Sequence, residues 1–103
     1  MIIEYEKDYL RELYEVGKCR NKKYRFDSSV IKKYQKRIDT LVAIIRIEDL
    51  FLFNSLNFEA LDGKDSYSIR IDYHYRLIFT VRKEGNEETL TVCTVLDITN
   101  HYQ

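Results

Sequence analysis

Apolar and polar positions change period once along this chain. Residues 1–6, "MIIEYE", read as a short strand. In "KDYLRELYEVG", Leu10, Leu13, Tyr14 and Gly17 recur at three, one and three. That spacing predicts an amphipathic helix that ends at Gly17, where a left-handed cap suits glycine. A basic loop, "KCRNKKYRF", follows. Asp27 or Ser28 is placed to cap a second helix through a side-chain oxygen. Val30, Tyr34, Ile38, Leu41 and Ile45 then share one helical face, and Lys32, Lys33, Lys36 and Arg37 share another. The segment to about Phe53 reads as a helical turn and loop, with turn signals at Asn54–Ser55 and Asp62–Gly63.

After Lys64 the period becomes two. Strands are predicted over about 66–72, 75–83 and 88–99, and "EGNE" turns the chain between the second and third of these. Ile69, Ile71, Tyr75, Leu77, Phe79 and Val81 form the apolar face of the first pair. In the last strand, alternation groups Leu90, Val92, Leu96 and Ile98 on one face. Thr91, Cys93, Val95, Asp97 and Thr99 fall on the other. The expected fold is α+β: an N-terminal strand and two helices packed on one face of a small antiparallel sheet, in the order β-α-α-β-β-β.

Composition changes this picture little. The 103 residues suit a single domain, 1–103, and 45% hydrophobic with 33% charged residues is an ordinary globular balance. The acidic start lacks the form of a secretory signal, and no apolar run approaches the roughly 20 residues of a membrane span. Cys19 and Cys93 stand far apart, outside any CxxC pattern, and read as buried or free thiols. These features point to a cytoplasmic protein.

Charge adds more. The net charge is zero. Yet Lys18, Arg20, Lys22, Lys23, Arg25, Lys32, Lys33, Lys36 and Arg37 lie in one stretch opposed only by Asp27. Such segregation suits either a side that faces a polyanion or a solvated helix face.

The candidate chemistry lies in "SIRIDYHYRLIFTV". If Asp72, Tyr73 and His74 form the turn, Arg70 and Arg76 become cross-strand partners on the face the helices leave open. Like charges placed opposite one another destabilise a sheet unless an anion or a carboxylate joins them. Asp97, on the same face by alternation, would make this a surface ion network. A phosphate would make it a binding site, since guanidinium groups grip phosphate oxygens bidentately. His101 has the same parity if the chain stays extended, and an imidazole there could transfer a proton. A mobile C-terminal tail is the plainer reading. His74 reads as turn chemistry. Tyrosines such as Tyr14, Tyr34 and Tyr75 have core parity rather than that of a base-stacking platform. Glycine-rich phosphate loops, metal-ligand spacings and Cys-His nucleophile signatures are absent.

The stretches "LNFEALDGK", "SIRIDYHYRLIFTV" and "VLDITNHY" resemble the RelE/ParE superfamily of toxin–antitoxin toxins, within it the HigB-like plasmid-maintenance killer proteins. The likeness covers about residues 56–103. It implies a type II toxin that enters the ribosomal A site and cuts messenger RNA, with no metal and no cofactor. The ribose 2′-hydroxyl attacks the adjacent phosphate, which leaves a 2′,3′-cyclic phosphate and a 5′-hydroxyl. Carried over by position, Arg70 and Arg76 would stabilise charge, and Lys64 lies near the family's basic turn. Asn100, His101 and Tyr102 stand where the family has Asp, Tyr and His, so the last pair is exchanged. His101 is assigned the proton transfer, and Tyr102 base stacking or hydrogen bonding. Lys22, Lys23, Arg25, Lys32, Lys33, Lys36 and Arg37 would dock on ribosomal RNA phosphates. The implied partners are the ribosome, messenger RNA and a helix-turn-helix, HigA-like antitoxin. A ParE-like poison of DNA gyrase, with the same fold and no proton shuttle, is the alternative.

Overall fold

A computed structural model describes residues 1–62, 65–85 and 90–100, with the side chain of Leu90 left out. Strand β1 (Ile2–Tyr5) leads into helix α1 (Asp8–Glu15) and then helix α2 (Ser28–Ala43). Two 3₁₀ turns, Ile47–Leu52 and Asn54–Leu56, carry the chain to β2 (Glu59–Ala60). Strands β3 (Ser66–Arg70), β4 (Tyr75–Glu84) and β5 (Leu90–Asn100) follow. Helices pack on one five-stranded sheet of order β1-β5-β4-β3-β2.

Helix α1 forms as its stripe predicts. Tyr9, Leu10 and Leu13 are buried, and Arg11 bridges Asp8 and Glu15 on the outer face. Gly17 ends it at φ +86, where an L side chain would be strained, and its N–H reaches the Glu12 carbonyl. In α2, Val30, Tyr34, Ile38 and Leu41 are buried. The Tyr34 hydroxyl donates to the Leu10 carbonyl at 2.7 Å, which satisfies a polar group within the core and ties the helices together. Gln35 adds a second tie through the Leu13 and Tyr14 carbonyls. Tyr14 donates to Asp39, and Tyr75 meets Phe26 edge to face. The core parity expected for the tyrosines therefore serves α1, α2 and the sheet.

Several expectations need correction. Asp27 stands at the N-cap of α2, but its side chain makes no cap bond; its backbone carbonyl accepts from Ile31 instead. The helix stops at Ala43. Ile44 is extended and turns inward, so Ile45 falls off the helical face and is exposed. The sheet is mixed rather than wholly antiparallel, because β1 pairs with β5 in parallel from Ile2↔Val92 to Tyr5↔Val95. Strand β2 adds an element beyond the expected order; at two residues it is too short to show a period.

The largest correction falls in β5. Phe79 faces Val95 while its neighbour Ile78 faces Asp97, so β5 carries an extra residue at Leu96. A bulge resets alternation. Cys93 and Val95 before it, and Ile98 after it, all reach the core. Val92 is buried outside that cluster.

Candidate functional site

The predicted turn forms. Asp72 Oδ1 accepts from the backbone N–H groups of His74 and Tyr75, each at 2.8 Å, and the Ile71 N–H reaches the Tyr75 carbonyl. That geometry is a side-chain-stabilised turn, as Asp commonly makes. It fixes the register Ile69↔Leu77 and Arg70↔Arg76. The two arginines are thus direct cross-strand partners.

Their surroundings differ from the open patch expected. Arg76 is only 5% exposed. Its guanidinium lies across β3 among neutral oxygens. Nε donates to Ser68 Oγ, and Nη2 donates to the Ser68 carbonyl at 3.3 Å and the Asn57 carbonyl at 2.7 Å. Asn57 reaches this position in a left-handed conformation, φ 46 and ψ 56, at the end of the second 3₁₀ turn. The turn before β2 therefore folds over what strand alternation alone would leave open. Ser68 and Glu59 are paired residues of β3 and β2, and Glu59 Oε2 lies 3.9 Å from Arg76 Nη2.

Burial lowers the Arg76 pKa from its ordinary value; Glu59 opposes that and Arg70 adds to it. Two buried nitrogens of the pair, Arg70 Nε and Arg76 Nη1, have no hydrogen-bond partner among the described residues. Buried N–H groups are nearly always satisfied, so two orphans on adjacent like charges call for an acceptor. A carboxylate ion network is excluded for Asp97. Its carboxylate accepts from the Tyr9 hydroxyl at 2.6 Å and pairs with Lys7 at 3.2 Å. The bulge and the end of β1 turn it toward α1 instead.

The cationic run divides. Lys22, Lys23, Arg25, Lys32, Lys33 and Lys36 are exposed and form no salt bridge with any described carboxylate, and Lys23 lies 5.6 Å over the Tyr24 ring. Arg37 does not belong with them. Its Nε donates to the Arg70 carbonyl at 2.7 Å and a terminal nitrogen to the Ile71 carbonyl at 3.1 Å. Burial lowers its pKa, against the opposing field of Asp72. Spacing put Arg37 beside the lysines; a carbonyl pair at the end of β3 draws it inward. Lys64, His101 and Tyr102 lie outside the described residues, as does part of the "EGNE" turn.

Sequence reasoning missed Ser68 and Asn57. Ser68 could have been found, since it shares the face of Arg70 by strand alternation. Nothing local marks Asn57, whose contribution is a backbone carbonyl.

The fold matches that of a solved toxin structure. The YoeB/ParE toxin from Agrobacterium tumefaciens superposes with a TM-score of 0.54 over 99% of this chain and 100% of that one, at 18% identity. A family model described as the RelE-like toxin of the type II toxin–antitoxin system HigB matches residues 3–97. The chain belongs to this HigB-like toxin family. No curated protein matches the chain in sequence. A type II toxin implies an antitoxin partner. Among the described residues, no helix is long and apolar enough to cross a membrane.

Proposed function

We propose that this chain is a single-domain, cytoplasmic toxin that cuts messenger RNA in the ribosomal A site. The observation that carries the reading is the cross-strand pair of half-buried Arg70 and buried Arg76, with two buried N–H groups that have no hydrogen-bond partner among the described residues. Family membership supports the same reading.

The chemistry needs three things: removal of the 2′-hydroxyl proton, stabilisation of a dianionic phosphorane, and protonation of the leaving 5′-oxygen. Arg70 Nε–H and Arg76 Nη1–H supply charged donors for the phosphorane oxygens. Arg76 is already held by Ser68 and Asn57, so little reorganisation accompanies the reaction. The 2′-oxygen forms a bond to phosphorus as the P–O5′ bond breaks. His101 takes the proton from the 2′-oxygen, and solvent water gives one to the departing 5′-oxygen. Tyr102 stacks on or hydrogen-bonds the substrate, and Lys64 adds positive charge.

Lys22, Lys23, Arg25, Lys32, Lys33 and Lys36 bind ribosomal RNA phosphates. A helix-turn-helix antitoxin of the HigA type holds the toxin inactive.

The test is incubation with translating ribosomes and labelled message, followed by primer extension. Cuts at A-site codons, absent without ribosomes and ending in 2′,3′-cyclic phosphate, are expected. An intact message together with accumulating DNA breaks would replace this reading with a gyrase poison.

A further inference from the structure

We infer that Arg37 is a positioning residue for Arg70, so that helix α2 sets the geometry of the arginine pair. The inference rests on the phosphodiester reading above. Arg37 spans from α2 to the last residue of β3 and the first residue of the turn, with one donor on each of two consecutive carbonyls, Arg70 and Ile71. A planar guanidinium fixes two acceptors at once, which a single point donor cannot do. The clamped segment is Arg70–Ile71, which carries the Arg70 side chain. It is followed directly by Asp72, which holds the turn that sets the Arg70↔Arg76 register. Asp72 also acts electrostatically on Arg37. Helix, strand end and turn therefore meet at one backbone segment, beside an Arg70 Nε that has no hydrogen-bond partner among the described residues.

Gln35 provides an internal control. It sits on the same helix and makes the same kind of two-carbonyl tie, to Leu13 and Tyr14, away from the arginine pair. If Arg37 only stabilises the fold, Arg37→Met and Gln35→Leu should behave alike once compared at equal folded fraction. If Arg37 positions Arg70, only Arg37→Met should lower kcat. Misplacing a reacting group by about 1 Å can cost on the order of 100-fold, so a loss between ~10-fold and ~100-fold with KM nearly unchanged is expected. Arg37→Lys should recover part of that loss, because an ammonium can still reach one carbonyl.

A second readout does not depend on cleavage. The Arg70 Nε–H signal in a proton–nitrogen NMR spectrum should shift in Arg37→Met and stay in place in Gln35→Leu. Inorganic phosphate, as the probe, should shift that signal in the unmodified protein. An unmoved Arg70 signal in Arg37→Met, or equal kcat losses in the two variants, would overturn the inference. If instead the Arg70 signal moves as expected while the unmodified protein neither cuts message nor responds to phosphate, the nuclease reading fails and the positioning role stands.

Discussion

Arg76 and Arg82 leave the same face of β4 by strand alternation, yet their environments are opposite. Arg82 is exposed and ringed by acceptors: Glu84 at 2.8 Å, Glu4 at 3.1 Å and Thr94 Oγ1 at 3.1 Å. Those partners raise its pKa, the Glu84 and Glu4 hydrogen bonds foremost. Arg76 is buried, its only carboxylate neighbour among the described residues is 3.9 Å away, and desolvation lowers its pKa. One arginine has its charge matched by the protein. The other is held by neutral oxygens and keeps a buried N–H without a partner among the described residues. Orientation by neutral groups leaves the charge for a ligand, whereas pairing with carboxylates neutralises it. The first arrangement is the one that the proposed phosphodiester site uses.

The largest break in this comparison is Arg76→Met, which should lower message cleavage by about 10²–10³-fold, the loss typical of removing one oxyanion donor. Arg82→Gln, assayed beside it, should leave cleavage within the error of the primer-extension assay. Equal losses would mean that β4 arginines matter only through overall charge.

Ser68→Ala sharpens the contrast by removing a neutral holder rather than the charge. It orphans Arg76 Nε, which should cost about 1–3 kcal/mol in urea unfolding. Cleavage should fall on the order of tenfold, the equivalent of about one hydrogen bond. A stable, fully active Ser68→Ala protein would show that Arg76 is oriented by something else.

A smaller effect concerns the exposed cations. Replacing Lys32, Lys33 and Lys36 together by Gln should weaken ribosome binding without changing the cleavage chemistry. The salt slope of binding should fall by about one for each phosphate that the variant no longer neutralises. An unchanged slope would remove α2 from the docking surface.

The smallest effect is expected from salt acting on Arg82. The Debye length shrinks to about 3 Å at 1 M salt. Any stability difference between Arg82→Gln and the unmodified protein should therefore vanish there, whereas that of Ser68→Ala should persist. Urea midpoints at low and high salt would read both.

How far the chain could be read in advance varies by element. The stripe of α1, its stop at Gly17 and the core face of α2 follow from spacing, because a regular helix converts sequence interval into direction. The Asp72 turn and the Arg70↔Arg76 pairing follow from turn chemistry and register. Alternation failed at Leu96, since a bulge leaves no local mark and reverses every later side chain. Ile45 failed for a similar reason, because the helix ended just before it.

By itself the sequence determined the α+β order of elements apart from β2, the buried helical faces and the meeting of two arginines across one turn. All of these depend on interactions close along the chain. Tertiary structure decided what each cation does: Arg37 clamps a strand end, Arg76 is buried beneath Asn57, and Lys32, Lys33 and Lys36 stay in water. The physical reason is that a guanidinium's role depends on which oxygens surround it, and those oxygens come from residues distant in the chain.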